Sequence, residues 1–229
     1  MKYKKIVQAE FRDRPNRFIA HVVINGKIET VHVKNTGRCK ELLIPGCKVI
    51  LEDCTDNPAR KTGYDLIAVY KNCEDGRKLL INMDSQAPNK VVAEWLKTQE
   101  YDLVHPEFTY GSSRVDFYME KKISAAGEDK IQKFLLEVKG CTLEKNGMGY
   151  FPDAPTERGV KHLRELADAA GKGYKCFLAF VIQIPGVDHV LPNVETHPEF
   201  GQALKEAENS GVEVLYLCCD VKEDELKII

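Results

Sequence analysis

Two apolar segments of this chain carry three charged side chains at positions that paired strands would bring together. Asp116 lies between a valine and a phenylalanine, and Glu137 and Lys139 flank a valine in the run Leu-Leu-Glu-Val-Lys. Side chains two residues apart on a strand project from the same face, so Glu137 and Lys139 would lie side by side. The polar stretch 121–130 is long enough for a hairpin that places Asp116 beside them. The sequence therefore predicts two converging carboxylates with an ammonium group next to them.

This set of residues is typical of a metal-dependent phosphodiesterase site. Mg²⁺ or Mn²⁺ is held by carboxylates, water and phosphate oxygens, and a nearby lysine orients the attacking water or offsets charge on the phosphate. Asp116 and Glu137 are the candidate metal ligands, and Lys139 is the candidate catalytic cation. A glutamate and a lysine around one apolar residue are also common on a strand with one solvated face, and that interpretation stays open.

The composition is that of an ordinary globular protein. Its 229 residues are 43% hydrophobic and 30% charged, which suits one large domain or two small ones. No apolar run reaches the length of a membrane span, and the amino terminus lacks the apolar core of a signal peptide. The eight cysteines form no CxxC pair and have no histidine at zinc-finger spacing. We therefore expect a cytoplasmic protein with free thiols and no membrane partner.

The net charge of −2 hides an asymmetry between the two parts of the chain. Residues 1–84 hold 16 Lys and Arg against 11 Asp and Glu, whereas residues 85–229 hold 17 against 24. A basic module beside an acidic one suggests that the first meets a phosphate backbone and the second holds metal-binding carboxylates. Two solvated surfaces that differ in charge explain the asymmetry equally well.

The pattern of short elements predicts a mixed α/β protein with two domains. Within 1–84, several strands without a long helix, with the hairpin signal Asn25-Gly26 between two of them, favour a five-strand barrel of the oligonucleotide-binding (OB) type. Within 85–229, we expect a helix, the hairpin with Asp116 and Glu137, and then helix, strand, helix and strand around a central sheet. The second domain would therefore be built as an α/β sheet.

Short segments along nearly the whole chain are similar to the SfsA (sugar fermentation stimulation protein A) family. They include Asn35-Thr36-Gly37-Arg38, Ser113-Arg114-Val115-Asp116-Phe117, Leu136-Glu137-Val138-Lys139, Phe151-Pro152-Asp153-Ala154-Pro155-Thr156 and Lys161-His162-Leu163. The resemblance implies an N-terminal OB-like domain, a C-terminal domain of the PD-(D/E)XK nuclease fold, DNA binding, and a role in sugar (maltose) utilisation in bacteria. Departures from the family pattern occur at Pro15, Lys34 and Gly140, away from the candidate site.

The resemblance also implies roles for individual residues. Asp116 and Glu137 would be metal ligands, Lys139 the catalytic lysine, Glu94 an additional ligand from the preceding helix, and Gln183 an auxiliary polar group. A glutamate on an amphipathic helix is more often simply solvated. A glutamine at the end of a strand often only satisfies backbone groups. For both residues the structural interpretation therefore stays open.

Further candidates come from the loops and the basic residues. Asp153, between two prolines, is a rigidly held carboxylate that could instead be a turn residue. His162 is expected to be a surface or capping residue, because no second histidine lies at metal spacing, and Phe18 is expected in the core. The candidate nucleic-acid contacts share a positive charge and are Arg14, Arg17, Arg38, Lys40, Arg60, Lys61, Arg158 and Lys161.

Three functions are compatible with these observations. The leading hypothesis is a protein that binds nucleic acid, DNA rather than RNA, and cleaves it with Mg²⁺ or Mn²⁺. The rival is a regulator of sugar catabolism that binds DNA without cleaving it and retains a nuclease fold. A small-molecule binder that uses the same pocket is the third. The presence of Asp116, Glu137 and Lys139 together favours the enzyme, since a regulator has no chemical need for them. Protein partners are unknown.

Overall fold

The first part of the chain is a closed barrel. A computed structural model describes residues 1–35, 37–125 and 128–229. The first six strands are β1 (Ile6–Asn16), β2 (Ile19–Ile24), β3 (Lys27–Val33), β4 (Lys48–Asp53), β5 (Tyr64–Asn72) and β6 (Lys78–Asn82). They form one sheet in the order β3-β2-β1-β4-β5-β6, and an added parallel pairing of β3 with β5 closes β1 to β5 into a five-strand barrel. The OB-like prediction is confirmed.

The hairpin signal and the alternation of side chains explain the barrel. Asn25 and Gly26, both with positive φ (49° and 79°), form the tight turn between β2 and β3. Within β2, the buried Ala20, Val22 and Ile24 alternate with partly exposed residues, so that one face fills the barrel core. The same alternation that predicted half-buried strands therefore builds the interior.

The second part of the chain is a sheet between helices, which confirms the α/β prediction. Its helices are α1 (Ala87–Leu96), α2 (Glu157–Gly171) and α3 (Pro198–Asn209). Its strands are β7 (Leu103–Tyr110), β8 (Ser113–Ala125), β9 (Glu128–Cys141), β10 (Leu143–Lys145), β11 (Met148–Phe151), β12 (Lys175–Ile182), β13 (Val190–Pro192), β14 (Val212–Val221) and β15 (Leu226–Ile228). The main sheet has the order β15-β14-β12-β9-β8-β7, and a small sheet joins β10, β11 and β13. Strands β9, β12 and β14 run parallel.

The predicted hairpin exists, but its strands are longer than the sequence suggested. Most of the polar stretch 121–130 continues β8 and β9, which pair up to Ala125 and Glu128. Positions 126 and 127 of that stretch, like position 36 of a matching family segment, lie outside the described residues. Long charged side chains are tolerated here because both faces of an exposed hairpin end are wet.

Alternation along β9 decides which layer its side chains face. Leu136 and Val138 pack with α1 residues such as Val91 in one cluster, whereas Leu135 packs with α2 residues such as Leu163 in another. Odd-numbered side chains of β9 therefore point toward α2. This puts Glu137 and Lys139 on the α2 face of the sheet.

Buried polar contacts join the barrel to the sheet domain. Gln183, directly after β12, donates through Nε2 to Asn82 Oδ1 of β6 at 2.8 Å. Asn82 in turn donates through Nδ2 to the Tyr3 hydroxyl at 3.0 Å. Lys71 of β5 pairs with the buried Glu144 of β10 at 2.5 Å. Because these groups are shielded from water, their hydrogen bonds fix how the two parts dock. In the part of the chain that the structure describes, no helix is long and apolar enough to cross a membrane.

Candidate active site

Asp116 is held where β8 and β9 begin to separate. Their pairing starts at Phe117 opposite Leu136, and beyond it the backbone N–H of Val138 donates to Asp116 Oδ2 at 2.8 Å. Asn89 of α1 donates to Asp116 Oδ1 through Nδ2 at 2.6 Å. The carboxylate thus replaces a strand-to-strand hydrogen bond. It is oriented by one strand and one helix.

Glu137 is the most buried charged group of the site. Its Oε1 accepts from Lys139 Nζ at 2.5 Å and from His162 Nδ1 of α2. Its Oε2 is buried and, among the described residues, has no hydrogen-bond partner. Native proteins rarely leave such an anionic oxygen unsatisfied, because its desolvation costs more than an ordinary hydrogen bond contributes. A cation is the kind of ligand that would satisfy it.

The neighbours of the two carboxylates shift their pKa values in opposite directions. Burial, and then the negative charge of Glu137, raises the pKa of Asp116. Burial also acts to raise the pKa of Glu137, but the hydrogen bonds from His162 and Lys139 and the positive charge of Lys139 outweigh it and lower that pKa. The structure therefore brings Asp116, Glu137 and Lys139 together, with Glu137 held as a carboxylate.

His162 belongs to this site, and the expectation that it is a surface or capping residue is wrong. The side chain is 5% exposed and contacts Glu137. The helical spacing of α2 could have predicted this burial. Gly159, Leu163 and Leu166 form the buried stripe of the helix, and His162 lies on that stripe. A polar residue on a buried stripe needs a partner, and the partner here is the carboxylate of β9.

Comparison with known proteins places the chain in a family. Family models described as "SfsA N-terminal OB domain" and "Sugar fermentation stimulation protein RE domain" match residues 13–82 and 86–225. The chain belongs to the SfsA family. A sugar fermentation stimulation protein homolog from Ruminiclostridium cellulolyticum is 53% identical over 100% of this chain and 96% of its own length. One from Desulfitobacterium hafniense is 51% identical over 99% of this chain and 95% of its own length.

A solved structure has the same fold. It is that of Pyrococcus furiosus SfsA in complex with Ca²⁺, with a TM-score of 0.80 and 25% sequence identity, and the match covers 100% of this chain and 96% of that one. The barrel and the sheet domain of the SfsA chain described here therefore form an arrangement that a relative shares.

Glu94, which the family resemblance offers as a further ligand, lies elsewhere. Its exposed side chain accepts from the N-terminal ammonium group at 2.7 Å. The residue of α1 that reaches Asp116 is Asn89, about 1.4 turns earlier. The described contacts thus give Glu94 a role in fixing the amino terminus rather than a place beside Asp116.

Gln183 and Asp153 line one small cleft between the barrel and the sheet domain, of about 170 Å³. Gln183 Nε2 donates to Asn82 Oδ1 at 2.8 Å and to the Asp84 carbonyl at 3.2 Å. Asp153 packs on Gly37 so closely that a Cβ there would lie 2.1 Å from Asp153 Oδ2. Burial raises the pKa of Asp153, against the opposing charges of two nearby arginines. Both side chains therefore face the domain junction.

The predicted basic residues of the barrel divide between two surfaces. Arg14, Arg17, Arg38 and Lys40 line a groove of about 720 Å³ that continues onto Pro155 of the sheet domain. We call this the junction groove. A second groove, of about 770 Å³, contains Arg60 and Lys61. The predicted residues are thus not one continuous track.

Two of these arginines already have partners in the protein. Arg14 donates to four backbone carbonyls at 2.6–2.9 Å and so holds the loop after β3. Arg60 pairs with the buried Asp65. Their guanidinium groups stabilise the barrel, so Arg17, Arg38 and Lys40 are the better candidates for contacts with a ligand. Sequence alone could not separate these roles because all are basic residues in loops or near the end of a strand.

Phe18 corrects another expectation. It is 51% exposed, whereas Phe11 is 2% exposed and belongs to the barrel core. Phe18 lies in the turn before β2 rather than inside the strand, which explains why it is not buried. An exposed aromatic ring beside Arg17 suits base stacking better than core packing.

Two other groups of residues have the spacing of metal ligands among the described residues. Glu52, Cys54 and Asp65 form one, and Glu157, His197 and Glu199 form the other. Neither contains the carboxylates of the candidate site. In the second group His197 Nδ1 accepts from the backbone N–H of Thr156, which leaves the ring proton on Nε2, the atom that faces Glu157. That histidine is arranged to donate rather than to bind a metal.

Proposed function

We propose that this SfsA protein binds nucleic acid and cleaves its phosphodiester bonds with Mg²⁺ or Mn²⁺ in the sheet domain. The observation that supports this most directly is the buried, unpartnered Oε2 of Glu137, beside a second carboxylate and a lysine. Two carboxylates fit a hard divalent cation. The complex of the Pyrococcus furiosus relative with Ca²⁺ supports a divalent cation in this family.

Asp116 and Glu137 would hold the cation, and each is prepared by the protein. Asn89 and the Val138 N–H orient Asp116, while Lys139 and His162 occupy one oxygen of Glu137 and leave the other available. A bound cation would lower the pKa of a water molecule and offset charge on the phosphate. Side chains fixed in advance lose little entropy when the ligand arrives.

Lys139 supplies the positive charge of the chain nearest the two carboxylates. The Lys139 side chain is 15% exposed, so a phosphate beside its ammonium group would meet a charge that water screens only weakly. The charge on the phosphate oxygens is redistributed in the transition state, and a fixed ammonium group stabilises it there. Lys139 therefore acts mainly on the rate of cleavage.

The experiment that tests the proposal measures metal binding and cleavage separately. Protein freed of metal with a chelator should bind Mn²⁺, as measured by calorimetry or electron paramagnetic resonance. The same protein should degrade labelled DNA when Mg²⁺ or Mn²⁺ is added. Single- and double-stranded DNA and RNA are compared because the proposal expects DNA to be the better substrate. Metal binding without cleavage of any of the four would favour the regulator that binds DNA without cleaving it.

The junction groove is the proposed path of the nucleic acid on the barrel, because it continues onto the sheet domain. Replacing Arg17, Arg38 and Lys40 with alanine should weaken binding of all sequences. The slope of log affinity against log salt should fall by roughly 0.7–0.9 per lost phosphate contact. Lys61→Ala, in the other groove, is the matched control. An unchanged affinity and slope in the triple variant would place the binding surface elsewhere.

A further inference from the structure

His162 connects Glu137 to an arginine on the surface. Arg158 Nε lies 3.3 Å from His162 Nε2, and His162 Nδ1 contacts Glu137 Oε1. A guanidinium N–H can only donate, so Nε2 is the acceptor and the ring proton on Nδ1 points to the carboxylate. The neighbours of the ring thus select one tautomer and one orientation.

The start of α2 is built to hold this ring in place. Thr156 caps the helix by accepting from the Gly159 N–H at 3.0 Å. Gly159 lies so close to the cap that a Cβ there would be 2.9 Å from Thr156 Cγ2. Val160 and Leu163, on either side of His162, are buried in the core. Packing therefore fixes the backbone of His162 against the sheet.

The consequence for Glu137 is that one of its oxygens is fully occupied. Oε1 accepts from both His162 and Lys139, which directs Oε2 to the position without a partner. We infer that His162 is a positioning residue of the metal site, which fixes the Glu137 carboxylate through Nδ1–H. This inference rests on the proposed function. Loss of a hydrogen bond to a carboxylate that binds a metal typically lowers the metal affinity about 10- to 100-fold.

Arg158 extends the chain of contacts to the substrate side. Among the described residues its one hydrogen bond is with His162, through Nε, and it forms no ion pair, so its terminal amino groups are available. It lines a groove of about 900 Å³ together with Arg114, Lys161 and His162. A phosphate bound by this arginine would lie next to the residue that orients Glu137. Substrate binding and the metal site would therefore share one structural element.

Two substitutions of His162 separate a positioning role from a purely structural one. The side-chain amide nitrogen of asparagine occupies the place of Nδ1, whereas that of glutamine reaches the place of Nε2. His162→Asn should therefore keep the donor to Glu137, and His162→Gln should lose it. We expect the Kd for Mn²⁺ to rise about 10- to 100-fold in His162→Gln and only a few-fold in His162→Asn.

Mn²⁺ titration of the full chain, with thermal unfolding of each variant, gives the answer. Retained affinity in His162→Asn and weakened affinity in His162→Gln, at similar unfolding temperatures, supports the inference. Equal Mn²⁺ affinities in both variants and wild type would overturn the inference and leave the proposed function intact. An equal loss of Mn²⁺ affinity in both folded variants would do the same. Wild-type protein that binds no Mn²⁺ would overturn the inference together with the proposed function.

Discussion

Replacing Lys139 with alanine is expected to lower the turnover of DNA cleavage by about 10²- to 10³-fold, while DNA affinity and folding stay near wild type. The reason is that its ammonium group acts on charge that develops in the transition state rather than on ground-state binding. Glu137 keeps a partner in this variant, because His162 still donates to Oε1. The measurement is single-turnover cleavage at saturating metal, with DNA affinity determined in a chelator.

Asp116→Asn should act one step earlier, on the metal itself. A carboxamide is a poorer ligand for a hard cation, so this variant should lose Mn²⁺ binding as well as cleavage. Lys133→Ala is the matched control for Lys139→Ala, because Lys133 is an exposed lysine of the same strand, six residues from Lys139. Cleavage by the Lys139 and Asp116 variants at the wild-type rate would contradict the assignment of this site.

The strand pair with its charged residues could be predicted because its information is local. Period-two alternation sets the faces of β9, so Glu137 and Lys139 had to share one face. Asp116 lies one position before Phe117, where the pairing of β8 with β9 begins. A single acid within an apolar run already marks this residue in the sequence. The barrel was predictable for the same reason, through its alternating strands and its Asn-Gly turn.

Local sequence does not determine which residue of α1 faces Asp116, Glu94 as predicted or Asn89 as observed. Five residues at 3.6 per turn place these two side chains roughly 140° apart on α1, so only one of them can face Asp116. Which one does so depends on how the helix is rotated against the sheet. That rotation is set by the packing of Val91, Val92 and Leu96 in the core, which leaves Glu94 exposed beside the N-terminal ammonium group, 93 residues away in the sequence. Such a contact leaves no pattern in the sequence.

The same limit applies to Arg14 and His162. Arg14 looked like a phosphate contact, but the carbonyls of a loop that begins 21 residues later surround it. His162 looked like a surface residue, but its partner lies 25 residues earlier on β9. In both cases a residue with hydrogen-bonding capacity finds partners inside the protein, because burial makes unsatisfied polar groups costly. Function therefore had to be assigned from contacts rather than from residue type.

Lys34 is a departure from the family pattern that the structure explains. Its ammonium group lies 2.8 Å from Asp84 Oδ2, and the Asp84 side chain is fully buried. Asp84 also accepts from the Tyr3 hydroxyl and from the backbone N–H of Gln86. This carboxylate stands at the junction of barrel and sheet domain, where the Asp84 carbonyl meets Gln183. The lysine thus neutralises a buried charge next to the junction of the two parts.

Lys34→Met is expected to lower the free energy of unfolding by about 3–5 kcal/mol, because it leaves a buried carboxylate without its cation. Lys5→Met is the matched control, since Lys5 pairs with Asp56 at the surface, where solvent screens the pair and little change is expected. Adding Asp84→Asn to Lys34→Met should restore much of the loss, because the amide retains hydrogen-bonding capacity without a charge to neutralise. Urea unfolding of the four proteins measures this. Similar stability of the Lys34 and Lys5 variants would mean that Asp84 does not depend on Lys34, and that the hydrogen bonds from Tyr3 and Gln86 are enough to satisfy this carboxylate.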